Sequence, residues 1–277
     1  MSLKRKIDSK FLEWKNDPNR MPLVVKGLRQ CGKTYSVLDF ARKNYTHVVY
    51  LNFEAYPQLG QAFEGTLAVD QIMMMVSAQL GKTLTLVPGK TVIVVDEIQK
   101  CPQARTALKF FKMDGRYDVI ATGSLLGVNG HGDDASSIPV GYETTLTMRP
   151  LDFEEFLWAM GIGKELTAKI RRWIDTGSEI DVSIGSALTR YFRKFMTVGG
   201  MPAAVQKYVD TKDYNEVWDV LASICNIIEK DALRYSDKKD RLKILACLES
   251  IPSQLARENK TFVYKDVGKQ AGREGGS

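Results

Sequence analysis

The sequence predicts an α/β protein with a mostly parallel, five-stranded sheet, and three observations carry that prediction. A glycine-rich loop, Gly27-Leu28-Arg29-Gln30-Cys31-Gly32-Lys33-Thr34, follows an apolar run and precedes a helical pattern. A β-branched run, Thr91-Val92-Ile93-Val94-Val95, ends in Asp96 and Glu97. Around these two features strand-like and helix-like segments alternate, which is the pattern of a parallel sheet with helices on both faces.

In chain order, Pro22-Leu23-Val24-Val25 reads as a short buried strand, spanning Leu23 to Lys26. The loop that follows has the GxxxxGK[ST] spacing of a phosphate-binding loop. Its glycines let the backbone curl so that successive N–H groups point at phosphate oxygens, and the next helix adds the partial positive charge of its N-terminus. In this pattern Lys33 reaches the β- and γ-phosphates and Thr34 offers its hydroxyl to Mg²⁺. Tyr35, Val37, Leu38, Phe40 and Ala41 supply the helix. The strand, loop and helix order argues against a chance match, and Gly27 through Tyr35 are the expected ATP-binding residues, with Lys33 also catalytic.

A complete strand, Val48 to Asn52, comes next, before the acidic strand Val92 to Asp96. An extra strand between the phosphate loop (Walker A) and the acidic strand (Walker B) marks the P-loop ATPases whose catalytic glutamate follows the magnesium aspartate. The β-branched run fits a strand buried on both faces, so its acids fall at the C-terminal sheet edge where open α/β sheets bind ligands. Successive strand residues point to opposite sides, which suits separate tasks: Asp96 for the Mg²⁺ shell and Glu97 for the attacking water. The plainer alternative is a strand ending in solvated acids. Tyr117-Asp118-Val119-Ile120-Ala121 reads as a fourth strand, Val119 to Thr122, running into Thr122-Gly123-Ser124. Thr122 or Ser124 would bond the water or the γ-phosphate there, with Ser124 counted among the nucleotide-binding candidates; an ordinary Ser/Gly turn is the alternative. Glu143 to Met148 completes the sheet.

Beyond Pro150 the period changes. Leu151, Phe153, Phe156, Leu157, Trp158 and Met160 recur at helical spacing behind Asp152, Glu154 and Glu155, acids that favour a helix N-terminus. Helical patterning continues to about Tyr235, broken at Gly161-Ile162-Gly163 and at Gly199-Gly200-Met201-Pro202, and reads as a lid whose aromatic stripe is core.

The order and content of these segments resemble a prokaryotic AAA-type ATPase family, in which an ATPase domain precedes a C-terminal domain of unknown function. The matching segments are GLRQCGKT, VVYLNFE, VVDEIQ, ATGSLL, LTMRPLDFEEFL and GGMP, spanning Gly27 to Pro202. The last two are the more specific. The resemblance implies a P-loop NTPase fold divided into an ATPase domain at 1–160, a helical lid at 161–236 and the start of a winged-helix-like domain at 237–277. Arg241 to Ala256 and a helix from Phe262 to Gln270 would open that last domain. Members of the family usually run longer, so the expectation is that this domain is truncated. Kinship with switch-type signalling ATPases implies that Pro202 packs against the nucleotide and couples the lid to its state; a plain interhelical turn is the alternative.

Composition narrows the rest. The chain has 277 residues, 44% of them hydrophobic, and a net charge of +6. Basic runs at Lys4-Arg5-Lys6 and Lys238 to Lys243 are usually solvated faces, so nucleic acid is the weaker partner expectation beside ATP or ADP, a second copy of the chain, and an unidentified protein. The four cysteines lack paired spacing, which fits reduced thiols and a cytoplasmic protein, and no run is long and apolar enough for a membrane span. Two functions remain: a Mg²⁺-dependent ATPase coupling hydrolysis to conformational change, or a nucleotide-dependent switch that hydrolyses little. A P-loop kinase fits less well, since no arginine-bearing acceptor lid is recognisable. AAA-type enzymes commonly take an arginine from a neighbouring subunit, so turnover by the chain alone is expected well below about 1 s⁻¹. Arg149, Arg190, Arg193 and Arg234 are equal candidates for that arginine.

Overall fold

The computed structural model describes residues 3–124, 141–179, 181–234, 240–258 and 261–267. Five strands, β1 (Leu23–Gly27), β2 (His47–Asn52), β3 (Thr91–Asp96), β4 (Asp118–Ser124) and β5 (Thr144–Met148), form one sheet in the order β2-β3-β4-β1-β5. Every pairing is parallel. β3 stands between β2 and β4, so its C-terminal end is flanked by both neighbours.

Alternation along the strands sorts the core onto two faces. Leu23, Val25, Val92, Val94 and Ile120 pack under α1 (Ile7–Asn16) and α2 (Lys33–Asn44) with Phe11, Phe40 and Met148. Val24, Ile93, Val95, Val119 and Ala121 pack on the other face under α3 (Val69–Gln79) and α4 (Pro102–Asp114), with Leu59 and Phe63 from the 3₁₀ turn Pro57–Phe63. β3 is buried along its whole length, as its unbroken β-branched run requires. α4 begins with Pro102 in its first turn and ends at Gly115 in a left-handed conformation, the usual asymmetry of helix ends.

After β5 the chain becomes helical. α5 (Phe153–Ala159) opens on a capping box: Asp152 Oδ1 accepts from Glu155 N–H, and Glu155 Oε2 accepts from Asp152 N–H. α6 (Lys164–Asp175), α7 (Val182–Val198), α8 (Pro202–Thr211) and α9 (Tyr214–Arg234) follow. Leu151, Phe156, Val198, Ala204, Val205, Tyr208 and Val217 form a third core, so the apolar stripe after Pro150 is interior. The chain divides into two compact units, Met1–Leu221 and Ala222–Ser277, and the helices up to α8 belong to the same unit as the sheet.

In the second unit α10 (Arg241–Leu255) is present, and the described residues 261–267 hold no α-helix where one was expected from Phe262 to Gln270. Only Tyr264–Asp266 form a single 3₁₀ turn, and residues 268–277 lie outside the described ones. Val263 is held extended by Gln254, whose Oε1 accepts its N–H at 2.6 Å and whose Nε2 donates to its carbonyl at 3.4 Å. Of the two groups in that clamp, only the carbonyl would have an internal partner in a helix starting at Phe262, since first-turn N–H groups have none. Among the described residues no helix is long and apolar enough to cross a membrane.

Candidate functional site

The glycine-rich loop connects β1 to α2 at the C-terminal edge of the sheet. Gly32 caps α2 with φ +95°, a left-handed conformation that a side chain would resist. Gln30 is also left-handed, at φ 61°. Lys33 is buried, and its Nζ donates to the carbonyls of Gly27 at 3.0 Å and Leu28 at 2.9 Å. The ammonium is thus folded over the mouth of the loop, where an incoming phosphate would compete with those carbonyls. Arg29 lies on the rim and pairs with Glu54 at 3.4 Å. Cys31 is fully buried with its Sγ 3.5 Å from the Met148 carbonyl, and burial pushes its thiol up, so it stays neutral. Tyr35 projects from the first turn of α2, 59% exposed.

Asp96, the last residue of β3, is 3% exposed and accepts from four side chains. Thr34 Oγ1 donates at 3.0 Å to Oδ1, which also takes the Thr122 hydroxyl; Tyr50 OH donates at 2.7 Å to Oδ2, with Asn52 Nδ2 at 3.3 Å. Those donors come from α2, β4 and β2. Asn52 is the registered partner of Asp96 across β2 and β3, and Thr122 follows Ala121, the partner of Val95. A buried carboxylate needs such a shell, because an unpaired one would take up a proton. Burial and the Asp96 carboxylate together push the Tyr50 hydroxyl up to about 12, so it remains a donor at any working pH. Tyr50 and Asn52 were not among the residues expected from sequence. Their signal was the alternation of β2, which buries Val49 and Leu51 on one face and sets Tyr50 and Asn52 on the other.

Glu97 lies beyond β3 with φ 57° and ψ 47°. The expectation that two adjacent strand residues send the acids to opposite sides needs correcting: a left-handed residue, not strand alternation, re-aims the second acid. A non-glycine residue there is uncommon and marks a local constraint. The Gln99 side-chain amide donates to Glu97 Oε2. Ser124 ends β4 opposite Gly27 in register and is buried beside the loop, while Thr122 is the hydroxyl that meets Asp96.

On the other side of Gly32 a cavity of about 420 Å³ is lined by Leu3, Arg5, Tyr35, Ser36, Pro202, Gln206 and Asp210. A Cβ placed on Gly32 would sit 3.6 Å from Pro202 Cγ, so the GGMP turn reaches the phosphate loop although the two lie far apart in sequence. Pro202 also opens α8, as the plainer reading of this proline has it, while its approach to Gly32 is what the nucleotide reading needs. Among the four candidates for an arginine acting in trans, Arg149, Arg190 and Arg193 are exposed, and the Arg234 side chain lies outside the described residues.

The constellation offers a phosphate cradle, a lysine, and a hydroxyl beside a carboxylate, a hard oxygen pair of the kind Mg²⁺ prefers. A family model described as an AAA domain matches residues 19–157, and a second, described as a domain of unknown function, matches residues 189–275. Among curated proteins none matches the sequence. Among solved structures, a Walker-type ATPase of Pyrococcus abyssi is similar at 11% identity and a TM-score of 0.44, covering 89% of this chain and 78% of its own. C. elegans PCH-2 is similar at 11% identity and a TM-score of 0.39, over 82% of this chain and 67% of that one. The Aeropyrum pernix ORC2 protein is similar at 14% identity and a TM-score of 0.33, over 56% and 48%.

Proposed function

The chain belongs to the family of that AAA domain, and on this premise we propose that it binds ATP with Mg²⁺, hydrolyses it slowly, and converts nucleotide state into movement of the helices after β5. The observation that carries the reading is the bond between Thr34 Oγ1 and Asp96 Oδ1, at 3.0 Å. It joins the Walker A hydroxyl to the Walker B carboxylate, the two groups that would hold the metal. Lys33 neutralises phosphate charge, Glu97 acts on the attacking water, and Ser124 lies within the same strand-end cluster. Pro202 and Tyr35 would border the nucleoside in the cavity beside Gly32. Leu151 N–H donates to the Gly200 carbonyl at 2.7 Å, which links the end of β5 to the turn bearing Pro202 and gives nucleotide occupancy a route to the lid.

The bond from Gln99 orients Glu97 through Oε2, and a carboxylate keeps acceptor capacity beside such a donor, so the contact is compatible with a base that acts on water. An arginine from a second copy of the chain would supply the remaining transition-state charge.

The test is thermal unfolding with and without Mg·ATP. At about a hundred times Kd, ligand should stabilise the wild type by about 2.7 kcal/mol, and Lys33→Ala should abolish that gain. No shift and no calorimetric binding with the wild type would overturn the reading.

A further inference from the structure

Arg5 belongs to none of the motifs that point to nucleotide chemistry, yet it is among the most enclosed charges in the molecule at 6% exposure. Its three guanidinium nitrogens each have a separate acceptor. Nη1 donates to the carbonyl of Cys31 in the phosphate loop at 3.1 Å, Nε donates to Glu155 Oε1 at 3.1 Å, and Nη2 donates to the carbonyl of Arg149 just after β5. Glu155 is 5% exposed and is the same residue that closes the capping box of α5; its Oε1 also accepts the Lys6 N–H at 2.6 Å. One planar fork therefore ties the phosphate loop to the strand end and to α5, the first helix after β5.

The contact with Cys31 bears directly on phosphate binding. The Cys31–Gly32 peptide is planar and trans, so its carbonyl and its N–H point in opposite directions. Holding the carbonyl on the Arg5 side turns the Gly32 N–H to the other side. Gly32 is left-handed like Gln30, but as a glycine it has the wider backbone freedom of the two and so gains more from being fixed.

Resting on the nucleotide-binding reading above, we propose that Arg5 is a positioning residue for the nucleotide phosphates: it sets the Gly32 peptide through the Cys31 carbonyl and couples that peptide to α5, the first of the helices after β5, through Glu155. A lysine at this position keeps a charge for Glu155 but lacks the fork needed to hold three divergent acceptors. Arg5→Lys should therefore fold, and its Kd for Mg·ADP, measured by calorimetry well below the unfolding temperature, should rise at least about tenfold. Because the effect acts through the phosphate loop, the preference for Mg·ADP over Mg·GDP should not change. Hydrogen exchange of the loop amides in the nucleotide-free protein should quicken in the same variant. Glu155→Gln, nearly isosteric, loosens Arg5 from the other side and should show the same changes in smaller measure, which keeps the idea testable if Arg5→Lys fails to fold.

An affinity within about twofold of wild type in the folded variants would overturn the proposal and leave Arg5 a structural clasp. A changed base preference would overturn it in favour of direct nucleoside contact from the neighbouring cavity. If the wild type binds no nucleotide, the functional reading fails by itself, and unchanged loop exchange in Arg5→Lys would then separately overturn the role given to Arg5.

Discussion

The two ends of the site are built from different parts of the chain. At the acid end, Asp96 receives Thr34, Thr122, Tyr50 and Asn52, three of them from strands locked in register. At the other end, Gly32 faces Arg5 from the N-terminal segment and Pro202 from α8, groups brought there by packing rather than by strand pairing. Strand register places a side chain through a ladder of backbone hydrogen bonds, which repeats and tolerates little slip. Helix packing places it through side-chain interdigitation, which has alternative arrangements of similar energy. The acid end suits chemistry that needs fixed geometry, and the Arg5 and Pro202 end suits coupling that needs two states.

The largest effect that would break this contrast lies in the chemistry. Glu97→Gln should slow turnover by roughly 10²–10⁴ while leaving ADP affinity unchanged, since it removes the group proposed to act on water and none proposed to hold phosphate. Unaltered turnover would take Glu97 out of the mechanism and favour the switch that hydrolyses little.

A smaller effect is expected at the lid junction. A Cβ on Gly200 would lie 2.2 Å from the Leu151 carbonyl oxygen, and that same pair carries the 2.7 Å bond from Leu151 N–H to the Gly200 carbonyl. Gly200→Ala must therefore separate two backbones, and should lower stability by about 1–3 kcal/mol. It should also weaken any coupling between nucleotide and lid, seen as a smaller nucleotide-induced change in exchange across α8. A variant as stable as the wild type, with that change intact, would remove the junction from the coupling route.

The smallest concerns Tyr50. Tyr50→Phe removes one of four donors to Asp96 and should weaken Mg²⁺-dependent nucleotide binding by about 0.5–1.5 kcal/mol, with no change in binding measured without Mg²⁺. The sign with pH follows from the raised hydroxyl: below its ordinary value of 10 the bond is fully present, and it is lost as pH climbs through about 12. The Tyr50 contribution should therefore be flat across neutral pH. A dependence there would mean that a different group tunes Asp96.

What the sequence determined by itself is the class of fold and the residues that form the loop and acid end of the candidate site. The strands, the GxxxxGK[ST] loop and the Asp96–Glu97 pair were legible because each is a local pattern: β-branched runs at strand length, glycines where backbone must curl, acids at a strand end. The capping box at Asp152 and Glu155 was legible in part, as acids placed early in a helix. Tertiary structure decided the rest. It set Tyr50 and Asn52 on Asp96 through the registration of β2 with β3. It also closed Arg5 onto a glutamate 150 residues away and left only a 3₁₀ turn at Tyr264–Asp266 where a helix was expected. Local patterns record the conformation a segment prefers. Which distant side chain satisfies a buried charge depends on how whole elements pack, and no spacing within a segment encodes that.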